Sequence, residues 1–368
     1  METPLAMDSL RIRGFRAFDD LRVPRLGRVN LIVGKNNVGK SSFLEALWLY
    51  ASQGMPSIMW QILEARDEGR APRPSLVRDS QDQASVVKSL FYGRKDIDRQ
   101  LGSIQIGPLD SADRLLTMSV GWYLVHTDEE GARQLRLFQF DDDNTSDHPV
   151  LCLSVRLGTQ PEIIYRLDRR PFGSQESERE RCLFVVANGM TPDEVGQLWD
   201  SISLTDLEQD VLESLRIIAP EVERLNLINN PYSPRTRERI PIAKIGSIPE
   251  PIPLRSLGEG MNRLFGTTLA LVNSKNRMLL LDEVESGLHY SVQPDVWRLI
   301  FKTAHRLNVQ VFATTHSMDC IEAFQHAAEE NEEEGVLIRL ENESGLIVAT
   351  EFDERRLGIA TREEIEVR

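Results

Sequence analysis

Hydrophobic and polar positions alternate along this chain in two rhythms, and the change between them divides it. Val29 to Val33 is a short apolar run, and Leu44, Leu47, Trp48 and Ala51 follow at the i, i+3, i+4 and i+7 spacing of a helical stripe. Ser9 to Phe18 predicts an earlier strand ending in a turn at Gly14. Gly54 to Pro74 predicts a helical piece and then a loop, and Ala84 to Tyr92 a short helix. From Gly102 to Arg181 the period falls to two. Leu115 to Val125 and Gln134 to Phe140 flank Asp128-Glu-Glu-Gly131 as a predicted hairpin, and Leu151, Leu153, Val155 and Leu157 alternate strictly. Ile163 to Leu167 and Cys182 to Val186 read as further strands, which together predict a β-rich antiparallel subdomain.

Helical signals then return. Thr191-Pro-Asp-Glu194 joins an N-cap, a proline at the first helical position and an acid at the third, and Thr205 to Glu208 repeats the capping box. Leu207, Val211, Leu215 and Ile218 share one face, so Thr191 to Ile218 predicts a helical pair ended by Pro220. Prolines 231, 234, 241, 249, 251 and 253 exclude helix from Leu225 to Leu254 and permit edge strands or an extended connector. Met261, Leu264, Phe265, Thr268 and Leu271 begin a buried helix. Met278 to Leu281 and the run from Val309 are continuous apolar stretches of the kind found in central parallel strands. Ile321 to Asn331 finishes as an acidic helix, and Val336 to Leu340 and Leu346 to Phe352 predict a closing hairpin. The pattern thus predicts an α/β fold in four parts: residues 1–100, a β-rich insert 101–190, a helical and proline-rich segment 191–253, and a C-terminal lobe 254–368.

Composition narrows the class. A chain of 368 residues with 41% hydrophobic and 27% charged content suits a globular protein. No run approaches the length of a membrane span, and the N-terminus has no apolar signal region, so a cytoplasmic location without a membrane is expected. Cys152, Cys182 and Cys320 form no C-x-x-C pair, which suits a reducing compartment and argues against structural zinc. The formal net charge of −14 is an unfavourable field for tight, non-specific nucleic-acid binding. The basic clusters Arg235, Arg237, Arg239 and Arg166, Arg169, Arg170 read as solvated faces. Asp141-Asp-Asp-Asn144 reads as a solvated loop, since consecutive acids do not converge on one ion.

Candidate chemistry lies in four segments. Between the first apolar run and its helix stands Gly34-Lys-Asn-Asn-Val-Gly39-Lys40-Ser41, a full match to the phosphate-cradling G-x-x-x-x-G-K-[ST] loop. Backbone amides from Gly34 through Asn36, Asn37 and Gly39 to Ser42 would face phosphate oxygens. Lys40 would neutralise their charge, and Ser41 would offer its hydroxyl to Mg2+. Asp282, at the end of the Met278 run, can hold the metal, and Glu283 is placed to deprotonate a water. A helix cap is the plain alternative for these acids, disfavoured by the apolar run and the phosphate loop upstream. His316, ending the Val309 run, could bond a γ-phosphate and the glutamate. Ser256, Gly258 and Gly260 in RSLGEGMNR offer a hydroxyl and open amides at a helix N-terminus, an anion site without a lysine.

GKNNVGKS, SLGEG, LLLDEVESGLH and ATTHS, in this order, resemble the ATP-binding-cassette ATPases of the SMC-like branch, nearest to the OLD-type (overcoming lysogenisation defect) ATPases. The resemblance spans nearly the whole chain and includes the opening SLRIRGFRAF. It implies an ABC-ATPase head with a mixed central sheet, ATP and Mg2+ as cofactors, Glu283 as the base and His316 as the switch histidine. It further implies a head-to-tail dimer in which Ser256 and Gly258 act on the nucleotide of a second subunit and Ser286 to His289 cross the interface. The signature departs from Leu-Ser-Gly-Gly, because Leu257 stands at the first glycine. Gln81, Gln83 and Gln105 are alternatives for the lobe-linking glutamine. OLD proteins usually carry a C-terminal nuclease; nothing after His316 provides its acidic residues, so cleavage is expected from a separate effector, toxin or nuclease, in phage defence, with a phage-derived trigger. A DNA-repair or DNA-end-binding ATPase of the same branch is the alternative, disfavoured by the charge.

Overall fold

The computed structural model describes residues 5–69, 80–94, 102–127, 133–138, 149–168, 182–231, 238–246, 248–331 and 334–352. Three sheets organise them. A six-stranded sheet holds β3 (Val29–Val33), β9 (Cys182–Val185), β13 (Met278–Leu281), β14 (Gln310–Thr314), β15 (Gly335–Glu343) and β16 (Leu346–Phe352), in the order β16-β15-β3-β14-β13-β9. All its pairings are parallel except the β15–β16 hairpin. An antiparallel sheet runs β2 (Phe18–Val23), β1 (Leu10–Phe15), β4 (Ile104–Gly107), β5 (Leu116–Thr127), β7 (Val150–Leu157) and β8 (Ile163–Arg166), with β6 (Arg133–Leu137) beside β5. The third sheet joins β10 (Val222–Asn229), β11 (Arg239–Ile245) and the short β12 (Ile252–Pro253). Within the proline-rich stretch, Arg239–Ile245 and Ile252–Pro253 are strands, as its lack of helix signals allows.

The parallel strands read as unbroken apolar runs because both faces of their sheet are covered. Ile32, Leu280 and Phe312 enter one core with α1 (Lys40–Ala51), α2 (Pro56–Ala65) and the antiparallel sheet. Leu31, Leu279, Leu281 and Val311 enter another with α6 (Glu259–Asn273), α7 (Gln293–Leu307) and α8 (Met318–Glu329). Each fully buried leucine or phenylalanine contributes about 1.5–3 kcal/mol through lost apolar hydration. Of the α1 stripe, Leu44, Leu47 and Ala51 are buried and Trp48 is half-buried, while Phe43, Ala46 and Leu49 are buried too, because α1 touches strands of both sheets.

Three local expectations change. β1 continues through Gly14, whose φ of +70° no side chain could share, since a Cβ there would lie 2.5 Å from the Ser103 carbonyl oxygen. The reversal falls at Arg16 and Ala17, and β2 follows; its sequence FDDLRV lacks strict alternation and so gave no strand signal. The β-rich stretch also shares its sheet with β1 and β2, while Cys182–Val185 leaves it for the edge of the parallel sheet. Alternation identifies a strand without naming its partner. After α3 (Ser80–Val87), the helical pair is α4 (Pro192–Ile202) and α5 (Asp206–Leu215). Thr191 makes the full reciprocal box. Thr205 caps Leu207, but Glu208 accepts from the Leu204 amide, so the second box is displaced by one residue. The Asp128–Gly131 turn, Asp141–Asn144 and Arg169, Arg170, Arg235 and Arg237 lie outside the described residues.

None of the three cysteines is in a disulfide and all are buried, and burial pushes the Cys152 and Cys320 thiols up to about 12. Titration with a thiol-reactive disulfide at neutral pH is expected to label the native chain slowly and the unfolded chain fully. Fast labelling of the native protein would contradict the packing around β7 and α8. Among the described residues, no helix is long and apolar enough to cross a membrane.

Candidate functional site

The site forms where β3, β13 and β14 end on the same side of the parallel sheet, the edge at which open α/β sheets bind ligands. Beyond Val33 the chain curls through Gly34 (φ +141°), Asn37 (φ +67°) and Gly39 (φ +96°). At Gly34 a Cβ would lie 2.4 Å from the Leu340 carbonyl oxygen, and at Gly39 2.9 Å from the Phe18 ring. Glycine at both positions is thus a steric requirement of the curl. Gly34→Ala is expected to lower unfolding stability by about 1–3 kcal/mol, as read by urea denaturation; an unchanged midpoint would contradict the close approach.

Lys40 opens α1 and is only 5% exposed. Its Nζ donates to the carbonyl oxygens of Gly34 at 2.6 Å and Lys35 at 3.0 Å, so its charge sits inside the curl. Lys35, Asn36 and Asn37 face solvent. Ser41 Oγ lies 3.4 Å from Asp282 Oδ1, which brings together segments 241 residues apart. A hydroxyl and a carboxylate are hard oxygen donors of the type Mg2+ accepts alongside phosphate oxygens. Among the described residues no three acidic, His or Cys side chains converge on one ion, so the remaining ligands would come from water and nucleotide.

Three residues that the sequence reading did not single out hold this end of the sheet. Thr314 Oγ1 donates to Asp282 Oδ1 at 2.6 Å and accepts from the Glu283 amide at 2.9 Å. A threonine at the end of an apolar strand looks like ordinary β-branched filling, which hid its role. Arg263 of α6 is buried and donates to the carbonyl oxygens of Val186, Asp282 and Glu283. Its burial lowers its pKa, while Asp282, Glu285 and Glu283 work in the opposite direction. Glu285 accepts the His316 amide at 2.9 Å.

Glu283 adopts a left-handed backbone (φ +48°), an uncommon state for a non-glycine residue and one that concentrates at functional sites. His316 Nε2 lies 3.9 Å from Glu283 Oε1, with the two side chains 37% and 44% exposed. Both are held by the scaffold yet reachable from solvent. A carboxylate so placed can take a proton from a water, and an imidazole beside it can bond a phosphate oxygen.

A cavity of 430 Å³ over the curl is lined by Asn37, Lys40, Ser41, Arg16, Arg66 and His316, among others. Its basic wall is tied down by acids. Glu45 of α1 sits between Arg16 and Arg66 at 2.7 and 2.6 Å, and Glu68 joins Arg16 and Arg94. Burial pushes the Glu45 carboxyl up, and the two arginines pull it back. Ser42 is buried and accepts from Arg66 at 3.2 Å.

The structure does not bring Ser256, Gly258 and Gly260 into this cavity. Ser256 lies in a short 3-10 turn and is exposed, and Gly258 (φ +107°) caps α6 in open space. Gly260 packs so tightly on the carbonyl of Gly287 that a Cβ would lie 2.5 Å from it. The signature segment and the Ser286–His289 loop therefore form one surface, separate from the phosphate curl of the same chain. Gln105 lies within β4, outside the cavity lining, and Gln81 falls in α3 with Gln83.

Known proteins supply the context for this geometry. A family model described as "AAA domain, putative AbiEii toxin, Type IV TA system" matches residues 29–321, from the strand before the curl to the helix after His316. A Helicobacter pylori protein named ATP/GTP phosphatase is 23% identical over 347 residues, covering 89% of each chain. Two crystal structures of Smc heads share the fold. One, bound to the C-terminal winged-helix domain of ScpA, aligns at TM-score 0.50 and 14% identity, over 95% of this chain and 98% of that one. The other, derived from Pyrococcus furiosus and bound to the C-terminal domain of ScpA, aligns at TM-score 0.50 and 12% identity, over 98% and 99%.

Proposed function

The chain belongs to the AAA_21 family of AAA domains, and from that premise we propose that it binds MgATP over the Gly34–Ser42 curl and hydrolyses it slowly within an oligomer. Lys40 and the loop amides hold the β- and γ-phosphates. Ser41 and Asp282 hold Mg2+, which screens phosphate charge when bound. Glu283 accepts a proton from the attacking water, its carboxylate standing beside His316 of the cavity wall. His316 bonds the γ-phosphate while its ring stays beside Glu283. The ATP/GTP phosphatase name of the Helicobacter pylori relative supports this reaction class.

The observation that carries the oligomer is the separation of the signature from the curl. Ser256 and Gly258 are exposed and do not line their own phosphate cavity. In a head-to-tail pair they close the nucleotide of a neighbouring chain, and the exclusion of water there strengthens their hold on phosphate charge. Closure of the pair, rather than chemistry, then limits turnover. The family description names a toxin–antitoxin system, which supports a separate effector protein whose activity the ATP-dependent assembly controls. Kinship with the OLD-type ATPases and a part in phage defence complete this reading.

DNA binding through the Arg235 to Arg239 stretch draws less support, because Arg239 is paired with Asp200 at 2.6 Å and the net charge is −14. Sedimentation of the purified chain with and without MgATP, with the co-purifying polypeptides identified, tests the proposal. Growth in size with ATP supports it. An unchanged mass at saturating ATP would remove the oligomer from it.

A further inference from the structure

Glu285 does more than extend the acidic run after β13. Its Oε1 accepts the main-chain amide of His316 at 2.9 Å, across from the end of β14. Its other oxygen, Oε2, is buried and has no hydrogen-bond partner among the described residues. Its charge acts on the buried Arg263 guanidinium, which also holds the Asp282 and Glu283 carbonyl oxygens. Backbone bonds fix where it stands: Ser286 N donates to Glu283 O at 2.9 Å, and Leu288 N donates to Glu285 O at 2.8 Å. One residue further, Gly287 packs on Glu259 and Gly260 of the signature helix. The single residue Glu285 therefore joins the base at Glu283, the histidine at 316 and the loop that rests on the signature.

We propose that Glu285 is a positioning residue: its carboxylate fixes the His316 backbone and so holds the imidazole beside Glu283. Glu285 does not touch the reacting atoms. It acts through the His316 backbone, setting the ring that lies 3.9 Å from Glu283 Oε1. The inference rests on the ATPase reading.

The test is a mutant cycle on the full chain, with ATP turnover and ATP affinity measured separately. Glu285→Ala is expected to lower kcat about ten- to a hundredfold, the range seen when a supporting contact lets a catalytic group drift. ATP affinity should stay within about threefold, since the curl is untouched. Glu285→Gln keeps a carbonyl acceptor for the His316 amide and should recover most of the turnover. Glu285→Ala combined with His316→Ala should be no slower than His316→Ala alone, because residues acting as a unit are not additive. A purely structural role would give additive losses and a shared fall in thermal stability. Additive losses, a glutamine variant as slow as alanine, or Glu285→Ala turnover near wild type would each overturn the proposal. A wild-type chain with no turnover would instead sink the ATPase reading, so the two failures are distinguishable.

Discussion

Glu283→Gln is expected to reduce ATP turnover about 10²–10⁴-fold, the usual contribution of a positioned general base. The same variant should retain ATP and accumulate as the larger assembly. Glutamine preserves the size of the side chain and an acceptor oxygen near His316, but it cannot take the proton of the attacking water. The left-handed backbone at Glu283 is held by Thr314, Arg263 and the amide of Val284, none of which the substitution disturbs. Folding should therefore be unchanged, and the loss should appear in kcat with little change in affinity. Single-turnover hydrolysis read beside sedimentation makes the measurement. Turnover at the wild-type rate would remove Glu283 from its role as base.

The second large effect is at Lys40. Lys40→Ala deletes the charge inside the curl, where the ammonium now bonds the Gly34 and Lys35 carbonyl oxygens. Hydrogen bonds to charged groups are worth about 1.5–3 kcal/mol each, so losing even one or two to phosphate lowers ATP affinity at least about tenfold to a hundredfold. Calorimetric titration should show ATP binding reduced to that degree or below detection. Assembly with ATP should vanish with it. Losing the bonds to the Gly34 and Lys35 carbonyl oxygens should also lower the melting temperature of the nucleotide-free chain by a few degrees. Retained affinity would mean that the amides of the curl suffice without Lys40.

Much of this site could be read from residue order because its parts are local. The strand, curl and helix around Lys40 carry their chemistry in one stretch, and the same holds for Asp282 and Glu283 after β13 and for His316 after β14. What spacing could not show is which of these segments are neighbours. The placement of β14 between β3 and β13, which brings His316 into the cavity wall with Lys40 and beside Glu283, is a matter of sheet order. Thr314, Arg263 and Glu285 stayed hidden for the same reason: each acts on a main chain or carboxylate distant in sequence. The β-rich region illustrates the limit on the fold. Its strands were visible as alternation, yet their union with β1 and β2, and the departure of β9, depend on partners that a period of two does not specify.

Mixing two inactive variants tests the central claim most directly, since it asks whether one nucleotide site is built from two chains. Lys40→Ala spoils the curl, and Ser256→Arg blocks the signature surface, which lies outside that chain's own phosphate cavity. Each variant alone should fail to hydrolyse ATP. Their mixture should regain turnover, because an intact curl from one chain then meets an intact signature from the other. Full activity of Ser256→Arg alone, or a mixture as inactive as its components, would contradict a site shared between chains.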